Sequence, residues 1–285
     1  MMLILFRLLS RIPLTWMQAL GGALGWAVWA VSPSYRRQFL DNAKAARLPW
    51  KEVRQAVTAA GCMVAELPWV WMRPHSTQVL NRMAWDGAEH MEAGLKAGKG
   101  VIVLSPHIGC WEIGAQALAE RFGPSFGPMV ALYRPPRKDW LKPVVLMSRQ
   151  RPFLEAAPTS LAGVRTLIRA LRAGGYTAIL PDQVPPQGQG VWAPFFGRDV
   201  YTMTLLPKLA QQTGALILLT WCERLPGGHF CLHMAPLDEP SFQDPAATLE
   251  QMAAGMNRAV ERMVLQSPGQ YLWGYARAKQ PREER

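Results

Sequence analysis

The 285-residue chain has little cysteine and little charge. Its four cysteines, Cys62, Cys110, Cys222 and Cys231, include no Cys-x-x-Cys pair. Four thiols in a chain of this length do not make a disulfide framework, so they read as reduced residues in the core or lining a site in the cytoplasm. Charged residues are only 18% of the chain, and acids are the scarcer sign, 20 against 31 Lys and Arg, for a net charge of +11. No zinc-finger spacing, RNP-like string or basic heptad array accompanies the excess, which speaks against a nucleic-acid partner. A Gly-rich phosphate loop is also missing, so no nucleotide is implied. Two stretches, 12–35 and 183–197, carry no charge at all.

Apolar residues make up 49% of the chain, with 12 Trp among them. That is rich for a cytosolic domain and points to a lipid-facing surface. The length allows one large α/β domain or two small ones. Residues 12–35 are about as long as a bilayer span. Arg7 and Arg11 precede them; Arg36, Arg37 and Lys44 follow, a heavier cluster that favours a cytoplasmic main domain. No small-x-small cleavage site ends the segment, which disfavours a signal peptide. Gln18, Thr15 and the Gly-Gly pair lower its hydrophobicity, so a helix lying in the interface competes with a span. Either way the chain is expected to attach to a membrane. Between Arg121 and Pro181 ten basic residues face only Asp139 and Glu155. Such a field suits acidic partners such as membrane phosphates or an acidic carrier protein, although individually these are also ordinary solvated arginines and lysines.

The chemistry concentrates at 101–114. Val101 to Leu104 predicts a short buried strand, and Ser105-Pro106 ends it. His107 follows the strand end, Gly109 lets the backbone turn, and Trp111 to Phe122 has helix composition with Glu112 in its first turn. Ligands of α/β proteins bind in the crevice beyond the carboxyl ends of the strands. There a histidine and a carboxylate can pair, the carboxylate holding one ring nitrogen while the other takes a proton. The bland alternative is a helix-start glutamate beside an ordinary loop histidine. Cys110 beside His107 lacks the oriented third partner a nucleophile pair needs. His229 and His233 share a face of a predicted antiparallel edge strand at 229–235, without a third ligand for a metal.

Further strands are predicted at 128–132, 176–180 and 215–220. Helices are predicted within 38–72, interrupted at Leu48-Pro49, and at 86–97, 138–151, 160–173, 203–213 and 246–266. Arg134, just past the second strand, is suited to bind a phosphate or polarise a carbonyl; a surface arginine before a proline turn is the alternative. The uncharged 183–197 reads as an aromatic loop suited to an acyl chain, or as a plain surface loop.

His107-Ile-Gly-Cys-Trp-Glu112 resembles the H-x4-D/E signature of the glycerolipid acyltransferase superfamily. It is closest to that of the bacterial lipid A biosynthesis acyltransferases. Tyr133-Arg-Pro-Pro136 resembles that family's second block, where the arginine is functionally required. Leu180-Pro-Asp-Gln183 resembles the third, followed by Phe195-Phe196-Gly197 and Tyr201-Thr202. Tyr271 to Arg277 resembles the C-terminal block, with Tyr275 where a histidine is common. The blocks stand in the expected order and, with the N-terminal segment, cover about 12–280. The resemblance implies an α/β, glycerol-3-phosphate acyltransferase-like mixed sheet flanked by helices. It implies an N-terminal membrane-associated helix over 1–37 and a single acyltransferase domain over 38–285.

It further implies transfer of a fatty acyl group from acyl carrier protein to a hydroxyl of a lipid A precursor, at the cytoplasmic face of the bacterial inner membrane. His107 and Glu112 are then the catalytic dyad. Arg134, Asp182, Gln183, Phe196 and Gly197 are substrate-binding or oxyanion residues, with Asp182 left to hold Arg134, hold Gln183 or touch substrate. No metal or cofactor is expected, and a monomer is. The competing readings are an acyltransferase for a lysophospholipid or ornithine lipid, a thioesterase, and a non-catalytic membrane lipid-binding protein.

Overall fold

The computed structural model describes residues 2–133, 142–148 and 151–283. The chain opens with helices α1 (Met2–Leu9), α2 (Leu14–Val31), α3 (Pro33–Ala45), α4 (Trp50–Val53), α5 (Gln55–Ala65) and α6 (Leu67–Met72). An α/β series follows: β1 (Met83–Asp86), α7 (Ala88–Lys96), β2 (Val101–Leu104), α8 (Trp111–Phe126), β3 (Met129–Tyr133), α9 (Lys142–Ser148), β4 (Leu154–Pro158), α10 (Leu161–Arg172) and β5 (Tyr176–Ile179). Hairpin β6 (Gly190–Phe195) and β7 (Arg198–Met203) precedes α11 (Leu205–Thr213), β8 (Leu216–Leu225), β9 (His229–Pro236) and α12 (Leu249–Gln266).

Seven strands form one mixed sheet in the order β1-β9-β8-β2-β5-β3-β4. The five from β8 to β4 run parallel, while β9 is antiparallel to β8 and β1 parallel to β9. The apolar run Val101–Leu104 is buried throughout, as a central strand covered on both faces must be. Its alternate side chains feed two cores. Val101 and Val103 pack with Met91 of α7 and Ile113 and Ala117 of α8. Ile102 and Leu104 pack with Leu167 of α10, Leu206 of α11 and Val260 of α12. Helices therefore cover both faces, and the strand-end crevice is the place left for chemistry.

Several expectations change. β9 is not an edge strand, because β1 pairs outside it. The four residues of β1 alternate half-buried and exposed, too short a pattern to read as a strand. β4 contains a glutamate and a terminal proline, which an edge position tolerates. Residues 190–203 form a hairpin, not a loop; Phe196 and Gly197 both have positive φ, +46° and +72°, the signature of a two-residue type I′ turn. The boundary drawn at residue 37 falls inside α3.

No single described helix is long and apolar enough to cross a membrane; α1 and α2 together have the length and composition, but bend by 115° where they join. α2 packs along α5 through glycines. A Cβ on Gly25 would overlap the Val57 carbonyl oxygen, and one on Gly61 the Gly21 carbonyl oxygen. Only glycine lets the two backbones approach so closely. Gly25→Ala or Gly61→Ala is expected to destabilise the protein by about 1–3 kcal/mol through overpacking. Denaturant titration of the variants checks this, and an unshifted midpoint contradicts the packing described.

Candidate active site

β2 and β5 are parallel neighbours in a register that sets Leu104 opposite Ile179. His107 and Asp182 each lie three residues beyond that last pair. The two turns thus deliver the residues to the same point above the sheet. The Asp182 carboxylate receives the His107 backbone N–H at Oδ2 (2.9 Å) and meets the ring Nδ1 with Oδ1 (2.7 Å). Both groups are buried, with 8% and 4% of their surface exposed. Burial alone pushes the Asp182 carboxyl up, but attraction to His107, hydrogen bonds from its ring and backbone, and the charge of Arg277 bring it below its ordinary value. An ionised Asp182 requires Nδ1 to carry the proton and leaves the Nε2 lone pair as the basic site. The Gln183 amide nitrogen donates to that lone pair at 3.0 Å.

The turn holding His107 is fixed from behind. The Leu272 N–H donates to the His107 carbonyl (3.1 Å). The Gly109 N–H reaches the Gln270 carbonyl (3.0 Å), and the Cys110 N–H the Cys222 carbonyl (2.8 Å). Gly109 has φ +60°, and a Cβ there would overlap the Cys222 carbonyl oxygen. Trp111, the first residue of α8, sets its ring edge-on to the imidazole with centroids 5.3 Å apart. The segment that follows α12, residues 271–277, supplies the back wall. Tyr271 is buried beside Asp182, and burial together with that negative charge holds its hydroxyl well above the ordinary value. Arg277 donates to the Tyr201 carbonyl (2.7 Å) and the Thr202 hydroxyl (2.9 Å). The Tyr275 hydroxyl accepts the Val184 N–H (3.0 Å).

In front of His107 lies a cavity of about 900 Å³. His107, Glu112 and Gln183 all line it, as do Trp111, Leu118, Met129, Leu132, Leu154 and Val164. Its apolar walls run from the strand ends back between α8 and the sheet, reaching Val103 and Met129 in the core. β2 and β3 flank β5, and Met129 and Val101 both pair with Tyr176. The apolar wall therefore reaches about 10 Å below the strand ends at ~3.3 Å per residue. The cavity fits a hydrocarbon chain with its reactive end at the imidazole.

Of the residues expected in the site, His107, Glu112 and Gln183 line this cavity, and Asp182 is buried behind His107. Glu112 does not occupy its expected place: Nδ1 is held by Asp182 and Nε2 faces Gln183, so the carboxylate bracing the ring comes from the third block. The reason is local. α8 starts at Trp111, which commits Glu112 to the helix and to the cavity wall, whereas the β5 turn reaches the ring edge. Phe196 and Gly197 do not line the cavity. They form the hairpin turn, where the Phe196 N–H donates to Glu261 of α12 (2.5 Å) and the Phe196 ring lies 6.1 Å from that of Trp273. Arg134 lies outside the described residues; β3, which precedes it, does end on the same edge of the sheet as β2 and β5. No group of three or more His, Cys, Asp or Glu suited to a metal occurs among the described residues. His233 instead stacks on Trp221 and bonds Asp86 and Glu223.

A sequence profile described as bacterial lipid A biosynthesis acyltransferase matches residues 1–280. The chain belongs to that family. It is 26% identical over 224 residues to the lipid A biosynthesis lauroyltransferase of Escherichia coli K12, covering 77% of this chain and 68% of that protein. It is similar to the E. coli K12 lipid A biosynthesis palmitoleoyltransferase at 26% over 231 residues, 80% and 72% of the two chains. A Haemophilus influenzae lipid A biosynthesis acyltransferase is 29% identical over 196 residues; the match spans 67% of this chain and 58% of the relative. The family membership makes this protein an acyltransferase.

Asp182→Asn keeps the shape and removes the charge. It is expected to destabilise the protein by about 1–3 kcal/mol at neutral pH. Because the folded Asp182 is more acidic than its ordinary value of 3.8, its contribution is complete above that pH and is lost as the pH falls through the folded value. Urea titrations between pH 7 and pH 3 should show the gap between the two proteins closing on acidification. A gap that stays constant or widens refutes an ionised, paired Asp182.

Proposed function

We propose that this protein transfers a fatty acyl group from acyl carrier protein to a hydroxyl of a lipid A precursor, with His107 as general base. One observation carries the reading: in a chain of this family, an imidazole with its basic nitrogen at an apolar cavity is held from behind by a buried carboxylate. In the reaction Nε2 takes the proton of the acceptor hydroxyl as the oxygen attacks the thioester carbonyl. Asp182 steadies the imidazolium that forms. The carbon–sulfur bond breaks, and the imidazolium returns its proton to the carrier's thiolate. A thioester is already activated, so no acyl-enzyme is needed and no cofactor takes part.

Glu112 stays in this reading as a wall residue that faces the reacting groups, and Gln183 as the donor that gives up Nε2 to the acceptor hydroxyl. Arg134 and the amino end of α8 stabilise the carbonyl oxygen as it becomes negative. The basic run between Arg121 and Arg172 attracts the acidic carrier protein and the phosphates of the acceptor. The exposed apolar residues of α1 and α2 attach the enzyme to the inner membrane on its cytoplasmic face, where donor and acceptor meet.

The test is an assay of purified enzyme with acyl–acyl carrier protein and a lipid A precursor, read by mass spectrometry of the lipid. The expected product is the precursor heavier by one acyl group, with kcat lower by roughly 10²–10⁴-fold in His107→Ala. Acyl release without any lipid acceptor would indicate a thioesterase. Preference for a lysophospholipid or ornithine lipid would move the acceptor, and an undiminished His107→Ala rate would remove the base. Glu112→Gln is expected to lower kcat far more than it lowers stability to urea; unchanged turnover takes Glu112 out of the chemistry.

A further inference from the structure

The uncharged N-terminal segment is long enough to span a bilayer, yet the structure uses it differently. α2 is pinned to the main domain along its whole length. At its start Leu14 is buried with Trp69, Val70 and Phe230 of the core. One turn on, the Gln18 side chain donates to Glu66 (2.8 Å), a buried carboxylate that also pairs with Arg224 of β8 (2.7 Å). The glycines at 21, 22 and 25 lie against α5. At the far end the Trp29 ring packs against Phe39 and Trp50, with centroids 5.1 and 5.0 Å away. A helix attached to one domain at its beginning, middle and end cannot cross a bilayer while that domain stays on one side.

The opposite face of α2 is bare and apolar. Trp16, Leu20, Leu24, Val28 and Val31 follow each other at spacings of three and four, and their exposure runs from 46% at Val28 to 79% at Val31. Residues three and four apart share one side of a helix. The charges around this stripe are of one sign: Arg7 and Arg11 before it, Arg36 and Arg37 after it, and no acidic residue before Asp41. Trp16 in the first turn of the stripe, 72% exposed, adds a side chain that favours the boundary between lipid and water. An apolar stripe flanked only by cations fits an anionic bilayer surface better than a second copy of the same cationic segment, whose charges would meet their like.

We propose that α2 lies in the plane of the membrane, outer stripe in the lipid and inner face on the domain, and does not span it. The proposal rests on the membrane attachment inferred above and goes further by fixing the helix orientation and the side from which lipid is reached. It is tested with full-length protein in which partly buried Cys231 is serine and single cysteines replace exposed residues on either side of the stripe, Thr15→Cys in the first turn of α2 and Ser34→Cys at the start of α3, with Lys99→Cys marking the main domain. Right-side-out and inverted membrane vesicles are labelled with an impermeant maleimide.

Labelling of all three positions from one and the same side is the expected result. Thr15 and Ser34 labelled from opposite sides overturns the in-plane helix and leaves membrane attachment standing. Failure of the protein to float with anionic phospholipid vesicles overturns the attachment itself, and a stable dimer that conceals the stripe in solution gives the surface to a second copy. As a second readout, Leu24→Glu is expected to weaken partition onto such vesicles by about tenfold or more with activity in detergent retained. Unchanged partition contradicts insertion of the stripe.

Discussion

A carboxylate buried at 4% exposure is costly unless something nearby repays its lost hydration. Here the repayment is the imidazole, and the rest of the active site is the apparatus that keeps the two together. Two turns, each three residues past the same register point of β2 and β5, bring Asp182 under His107. Gly109 allows the bend, and the backbone of 270–272 holds it from behind. Tyr271 and Arg277 close the space around the carboxylate, so water does not compete for it. The result is an imidazole with one protonated nitrogen directed inward and one lone pair directed to the cavity.

The architecture gives that lone pair a substrate-sized space. Because the parallel strands end together, their carboxyl edge forms a crevice. Because α8 covers one face with small and apolar residues such as Ala115 and Leu118, the crevice deepens into an apolar cavity. The hairpin β6–β7 serves this arrangement indirectly. Its Thr202 hydroxyl receives both Arg277 and Asn257, tying the C-terminal wall to the hairpin and α12. The N-terminal helices add a second apolar surface, on the outside, whose residues contribute nothing to the cavity lining.

Much of the fold was legible because its central strands are short apolar runs ended by proline or glycine. Val101–Leu104 and Tyr176–Ile179 stand out that way, and α10 shows its stripe directly. Edge elements were not: Met83–Asp86 and Leu154–Pro158 contain charge, and become strands only because neighbours offer a ladder. In the site, His107 was visible from its place after a strand, and Gln183 and Asp182 from a motif with a similar setting. The pairing was not. Sequence proximity favoured Glu112 as the bracing group, whereas strand register, which joins residues 75 positions apart, decides for Asp182. The aromatic Phe195-Phe196-Gly197 looked like a lipid contact because apolar side chains near a site and apolar side chains holding a turn have the same composition; only the positive φ values of Phe196 and Gly197 separate them.

The central claim concerns where one proton sits, and nitrogen NMR of the full-length protein with labelled histidine reads it directly. At neutral pH the His107 signals are expected to show Nδ1 protonated and Nε2 bare. Glu112→Gln should leave that pattern in place, and Asp182→Asn should abolish it. A proton on Nε2 in the parent protein, or a pattern that follows Glu112 and ignores Asp182, contradicts the account.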